Sequence, residues 1–134
     1  MDIKVERHFA FSAEQIWAIV GDPARVDWVP GVDSCVFDGE VRAFSMGEAG
    51  ALKERILRRD PATRTLEYTV IESAMPLEHH HAALCIEPEG DGARFIWKTS
   101  VKPDQVAPFI KRSMNGALDQ LENVLAGSSD LATG

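Results

Sequence analysis

With 134 residues, 45% of them hydrophobic and 26% charged, the chain has the size and balance of one folded domain, and that composition argues against disorder. A formal net charge of −7 argues against a general nucleic-acid surface, which needs clustered Lys and Arg, and against anionic membrane surfaces. No long apolar run follows Met1-Asp2-Ile3-Lys4, so neither an export signal nor a transmembrane span is expected. The protein is read as cytoplasmic, with Cys35 and Cys85 reduced and buried rather than paired.

Residues 2–11 alternate. Ile3, Val5, Phe9 and Phe11 share one parity and Asp2, Lys4, Glu6 and His8 the other, which predicts a half-buried strand with Arg7 as the exception on the apolar face. Ser12 with Gln15 three residues on has capping-box spacing, so a short helix follows, with Ile16, Trp17, Ile19 and Val20 as its apolar side. Trp17 is expected to pack this helix on the sheet. Gly21-Asp22-Pro23 ends it and opens a second short helical segment over 22–27, and Trp28-Val29-Pro30-Gly31 breaks the chain again.

From 33 to 101 turn signals divide six candidate strands: 33–37, 41–46, 51–59, 64–72, 78–87 and 93–101. An antiparallel meander is the simplest arrangement of strands so close in sequence. Pro103 and a capping Asp104 predict a last helix over 104–126. Val106, Phe109, Ile110, Met114, Ala117, Leu118, Leu121 and Leu125 form its apolar stripe. Gly127 is expected to stop it, leaving 127–134 as a flexible tail after a single domain over 1–126.

A seven-stranded antiparallel sheet has one face to bury, and one long amphipathic helix is available to cover it. A strongly twisted sheet closing on one helix leaves space between them for a ligand. The element order resembles the helix-grip fold of the superfamily that includes birch-pollen allergens, lipid-transfer (START) proteins and polyketide cyclases, SRPBCC. Trp17, Asp22, Trp28 and Pro30 resemble its opening stretch, and Val41-Arg42, Glu54-Arg55 and Asp60 its middle strands. Leu66, Tyr68, Val70, Pro76 and Trp97 complete a likeness that spans residues 3–126. The nearest subgroup is the bacterial polyketide cyclase/dehydrase-like proteins. The resemblance implies an α+β helix-grip: a curved seven-stranded antiparallel sheet around a long C-terminal helix, with two short helices between the first and second strands. Members share fold far more than activity, so no reaction follows from the likeness.

Strand parity predicts which side chains face the pocket. Arg42, Phe44 and Met46 share a face; so do Leu52, Glu54 and Ile56; Leu66, Tyr68 and Val70; and Phe95, Trp97, Thr99 and Val101. A five-residue loop at 47–51 would put Arg42 and Glu54 on the same side as diagonal neighbours. Glu54 between Leu52 and Ile56 is a candidate acid or base, a carboxylate whose proton is favoured by apolar surroundings and disfavoured by Arg42. Alternatively the pair only fixes strand register. Tyr68, the single tyrosine, can polarise a ligand carbonyl or anchor the pocket wall. In His79-His80-His81 the parity of Ala82, Leu84 and Ile86 turns His80 inward, although apolar Ala83 and Cys85 leave that parity open; a polar strand end at the pocket mouth is the alternative. Two histidines at i and i+2 can share a metal, but no spacing supplies the remaining ligands, so no metal site is expected. Trp28, Phe44, Trp97, Phe109 and Met114 are candidate lining residues, with Arg42 among them as the cation.

Phosphate-loop, dinucleotide and nucleophile-elbow patterns are absent. The resemblance, together with the aromatic stripe, implies three alternatives: binding of a small hydrophobic, aromatic or polyketide-like molecule; a cofactor-independent cyclase, dehydratase or aldol-type enzyme using Glu54, Tyr68 and His80; or a module regulating a protein partner. The expected partner is a small hydrophobic molecule, the expected assembly a monomer or homodimer, and no cofactor is called for.

Overall fold

The computed structural model describes residues 1–32, 34–46 and 50–133, with side chains through Gly127. Its first strand, β1 (Asp2–Phe9), shows the expected alternation, burying Ile3, Val5 and Phe9. Arg7, the exception, turns its guanidinium to Asp119 (2.8 Å) and Glu122 (3.4 Å) of the C-terminal helix. The odd charge on the inner face is thus a tie between sheet and helix. Helix α1 (Ala13–Val20) starts at a complete capping box: the Gln15 N–H donates to Ser12 Oγ (3.1 Å) and the Ser12 N–H to Gln15 Oε1 (3.0 Å), a device worth about 1 kcal/mol. Trp17 is buried beneath it as expected, with the Arg59 guanidinium 5.4 Å from its ring.

The second short helix expected over 22–27 does not form. Asp22 accepts the Ala24 N–H on its carboxylate (3.0 Å) and the Arg25 N–H on its carbonyl (3.0 Å), so this stretch is a run of turns. Asp, Asn and Ser compete with helix by such local bonds, and Asp22 does so here.

Strands β2 (Ser34–Phe37), β3 (Val41–Ser45), β4 (Ala51–Asp60), β5 (Thr65–Ser73), β6 (His79–Glu89) and β7 (Gly92–Lys102) follow. The sheet order is β1-β7-β6-β5-β4-β3-β2, antiparallel throughout. The meander holds from β2 to β7, but β1 closes on β7 rather than on β2, so α1 and the turns after it carry the chain from one edge of the sheet to the other. Two irregularities bend the β4–β5 pair, where the register shifts between Lys53 and Glu54 and between Ile56 and Arg58. Bulges of this kind curve a sheet. They also leave Leu57 and Ile71 outside the pairing, and both are exposed.

A 3₁₀ turn (Asp104–Val106) precedes α2 (Ala107–Thr133). Asp104 does not cap it; its carboxylate faces the N-terminal amine at 3.3 Å. Nor does Gly127 end the helix, since one helical glycine costs only about 1 kcal/mol against alanine. The side chains of residues 128–133 in the expected flexible tail lie outside the described residues, as do the whole of Asp33 and residues 47–49, in the expected strand start and hairpin turn, and Gly134. Met114, Ala117, Leu118, Leu121 and Leu125 of the predicted stripe are buried against the concave face, whereas Phe109 is 45% exposed. The fold is the helix-grip: a curved sheet wrapped around one long helix, with a single short helix between β1 and β2. No described helix is long and apolar enough to cross a membrane. Cys35 and Cys85 are free thiols as expected, though half-buried rather than buried.

Candidate functional site

Helix α2 packs closely on β1 and stands off β3, β4 and β5. Toward its C-terminal end Leu118, Leu121 and Leu125 fill the gap to the sheet completely. Toward its N-terminal end Met114 and Ala117 are buried, but Ile110 is only half-buried and Phe109 and Ser113 are exposed, so the helix does not seal against the sheet there. The result is a cavity of about 170 Å³ between that half of α2 and the concave face.

All nine residues singled out from the sequence line this cavity: Trp28, Arg42, Phe44, Glu54, Tyr68, His80, Trp97, Phe109 and Met114. Five adjacent strands, β3 to β7, supply the wall. Trp28 comes from the turns after α1, and its ring centre lies 5.5 Å from that of Trp97, the two planes tilted by 49°. Phe109 lies at the edge of the cavity and is shared with solvent.

The pairing of Ser45 with Ala51 places Arg42 directly opposite Glu54, not diagonally as expected from a 47–51 loop. Arg42 Nε donates to Glu54 Oε1 at 2.7 Å, and both residues are buried. The remaining guanidinium nitrogens and Oε2 make no hydrogen bond among the described residues. No sealed side-chain polar atom lacks a partner there, so these groups face the open space of the cavity. The Arg42 guanidinium also lies 4.9 Å from the centre of the Tyr68 ring.

Tyr68 accepts a hydrogen bond from the Trp97 indole N–H (3.2 Å). Its own proton is left to donate. Burial first, and then the nearby Glu54 charge, push the phenol well above its ordinary range, so Tyr68 stays a neutral donor. For Glu54, burial raises the pKa above the usual carboxylate range and the Arg42 ion pair opposes that rise without cancelling it.

His80 does point inward, half-buried, with its ring 5.9 Å from that of Tyr68. The Val70 N–H donates to its Nδ1 (3.1 Å), which leaves Nε2 to carry the proton in the neutral ring. Burial, reinforced by His79 and His81, lowers its pKa to about 4. At neutral pH His80 is therefore a neutral hydrogen-bond donor. His81 faces the other side, its Nε2 3.2 Å from Glu67 Oε1. Among the described residues no three His, Cys, Asp or Glu side chains lie close enough to share a metal ion.

Beyond the nine, Val26, Val29, Ser73, Met75, Leu77 and Ser113 also line the cavity. The stretch 73–77, between the strands expected at 64–72 and 78–87, reads as a turn, yet Met75 and Leu77 are apolar residues inside it. That apolar pair was the available signal. Cys35 pairs with Phe44 on the inner face, and burial pushes its thiol pKa up, which makes it a poor nucleophile.

The chain's residues 1–126 match the family model described as polyketide cyclase/dehydrase and lipid transport. No curated protein is similar to it in sequence. Among solved structures it is similar to XoxI from Bacillus cereus, with TM-score 0.87, 16% identity and 93% and 95% of the two chains covered. It is also similar to Ara h 8.0201, with TM-score 0.77, 17% identity and coverage of 95% and 98%. A third is norcoclaurine synthase from Thalictrum flavum in complex with dopamine and hydroxybenzaldehyde, with TM-score 0.71, 20% identity and coverage of 95% and 87%. At these identities the likeness is one of fold.

Proposed function

Because the chain belongs to the polyketide cyclase/dehydrase and lipid transport family, we propose that its cavity binds one small, largely apolar ring compound that carries a hydrogen-bond acceptor. The observation that carries this reading is the cavity's size together with its donors. At about 170 Å³ it is close to the roughly 150 Å³ of an apolar cavity that holds a single benzene ring. It falls below the roughly 300–1,000 Å³ of drug-sized sites, which argues against bulk lipid. Trp28, Phe44, Trp97 and Met114 supply an aromatic and thioether wall. Arg42, Tyr68 and His80 offer donors, and a carbonyl or phenol oxygen on the ring would satisfy them. Norcoclaurine synthase, which shares the fold, was solved with dopamine and hydroxybenzaldehyde, each built on one aromatic ring.

The test is titration of the purified protein with benzene derivatives that carry or lack a carbonyl or hydroxyl group. Trp28 and Trp97 line the cavity, so quenching of tryptophan emission reports occupancy. Saturable binding that favours the acceptor-bearing compounds supports the reading; absence of saturable binding by any ring compound overturns it.

A second reading, acid–base catalysis on the bound ring compound, rests on Glu54. Its raised pKa beside the Tyr68 donor gives one group that exchanges a proton and one that stabilises a developing oxyanion. Under it, Glu54→Gln abolishes turnover while affinity changes little. Equal loss of both, or unchanged turnover, counts against it.

A further inference from the structure

A shallow groove adjoins the cavity. Val29, Met46, Phe109 and Ser113 line both, so the two spaces share a wall. Pro30, Gly116 and Arg112 complete the groove. Its floor is a glycine, and a side chain built on Gly116 would meet nothing nearer than Pro30 Cγ at 3.8 Å. Arg112 is its one charged lining residue among those described.

Arg112 also differs from the other arginines of the chain. Arg7, Arg25, Arg42, Arg55, Arg58, Arg64 and Arg94 hold carboxylates. Arg59 donates to the Gly21 carbonyl. Arg112 is exposed and makes no ion pair or hydrogen bond among the described residues. In a chain of net charge −7, an exposed cation without a partner among the described residues is a local reversal of the field that a diffusing anion meets.

Resting on the reading of the cavity as a ring-binding site, we propose that the ligand is an amphiphile: a ring in the cavity, an apolar linker passing Phe109, and an anionic group on Arg112. The cavity then selects the ring, and the groove selects the charge and the length of the linker. The Arg42 guanidinium already carries the buried Glu54 carboxylate at 2.7 Å, so a second anion gains less charge stabilisation there than on Arg112.

The experiment compares ω-phenylalkanoates of one to six methylenes with their primary amides, read by tryptophan emission at low and physiological salt. Benzyl alcohol serves as the tail-free control. At one linker length the acid should bind roughly fivefold tighter than its amide, the size of an exposed ion pair, and salt should erode the preference. Arg112→Gln should remove the preference and leave benzyl alcohol unchanged. Gly116→Leu, which fills the groove without entering the cavity, should weaken the long acids and again spare benzyl alcohol. Equal binding of acid and amide at every length overturns the proposal. So does a preference that survives Arg112→Gln, which would place the carboxylate on Arg42 inside. If benzyl alcohol binds and no acid preference appears, the cavity reading stands and this one falls. If no ring compound binds, both fall.

Discussion

Replacing Arg42 by Met removes the counter-charge of Glu54 while keeping an apolar side chain of similar reach. The two groups are 2.7 Å apart and buried, with residue exposures of 4% and 6%. Breaking such a pair from one side strands a charge in low dielectric and costs about 3–5 kcal/mol. For a domain of this length that is a fall in Tm of about 10–20 °C. The sign with pH follows from Glu54, whose folded pKa already lies above its ordinary 4.5 and rises further without Arg42. Below pH 4.5 the carboxyl is protonated in both the folded and unfolded states, so the penalty is absent. It grows as pH rises through the folded pKa, because ionisation then favours the unfolded chain. The deficit of Arg42→Met should therefore be larger at pH 8 than at pH 5. The double variant Arg42→Met/Glu54→Leu, which removes both charges, should recover wild-type stability or exceed it. Thermal denaturation followed by circular dichroism at the two pH values measures all of this. A double variant as unstable as the single one, or a deficit independent of pH, would refute the electrostatic account and assign the loss to packing of Arg42 over Tyr68.

His80→Gln tests the buried imidazole. With a folded pKa near 4 against an ordinary 6.5, the folded state binds fewer protons between those values. Wild-type stability should hence be complete above pH 6.5 and fall by up to roughly 2 kcal/mol on acidification toward pH 4, a slope the variant lacks. Identical slopes in denaturant titrations would sink the assignment. Phe109→Ala trims a half-exposed aromatic at the junction of cavity and groove. Stopped-flow emission should show faster association and release of a ring ligand with Kd changed by less than about threefold, and unchanged rates would mean that ligands enter elsewhere. Gly92→Ala tests the close approach of β7 to β1, where an added Cβ would overlap the Phe9 carbonyl. A loss of about 2 kcal/mol or more is expected with ligand affinity intact, and a neutral result would show that the strand pair shifts at no cost.

Much of the site was legible because a strand has period two. Once Arg42, Phe44, Glu54, Tyr68, Trp97 and Thr99 were assigned to strands, alternation fixed which side each would face. The same argument turned His80 inward on the strength of Ala82, Leu84 and Ile86, all of which are buried. The register of Arg42 against Glu54 was not legible, since it depends on how the chain closes between Ser45 and Ala51. Nor were the β4–β5 irregularities, which shift parity without a Gly or Pro to mark them. Asp22 misled because a residue that caps a helix equally well closes a turn on itself.

By itself the sequence determined the order of the elements, the apolar stripe of the last helix and the small set of polar residues on inward parities. These are local properties, written in the spacing of neighbouring residues. Tertiary structure decided that β1 closes on β7, that α2 lies close to that edge, and that space remains on the other side. Leu118, Leu121 and Leu125 are sealed against the sheet, whereas Phe109, Ile110, Met114 and Ala117 line a cavity. Both groups belong to one helical stripe, and no periodicity distinguishes them. Only the distance from helix to sheet, set by the packing of the whole core, makes one end solid and the other hollow.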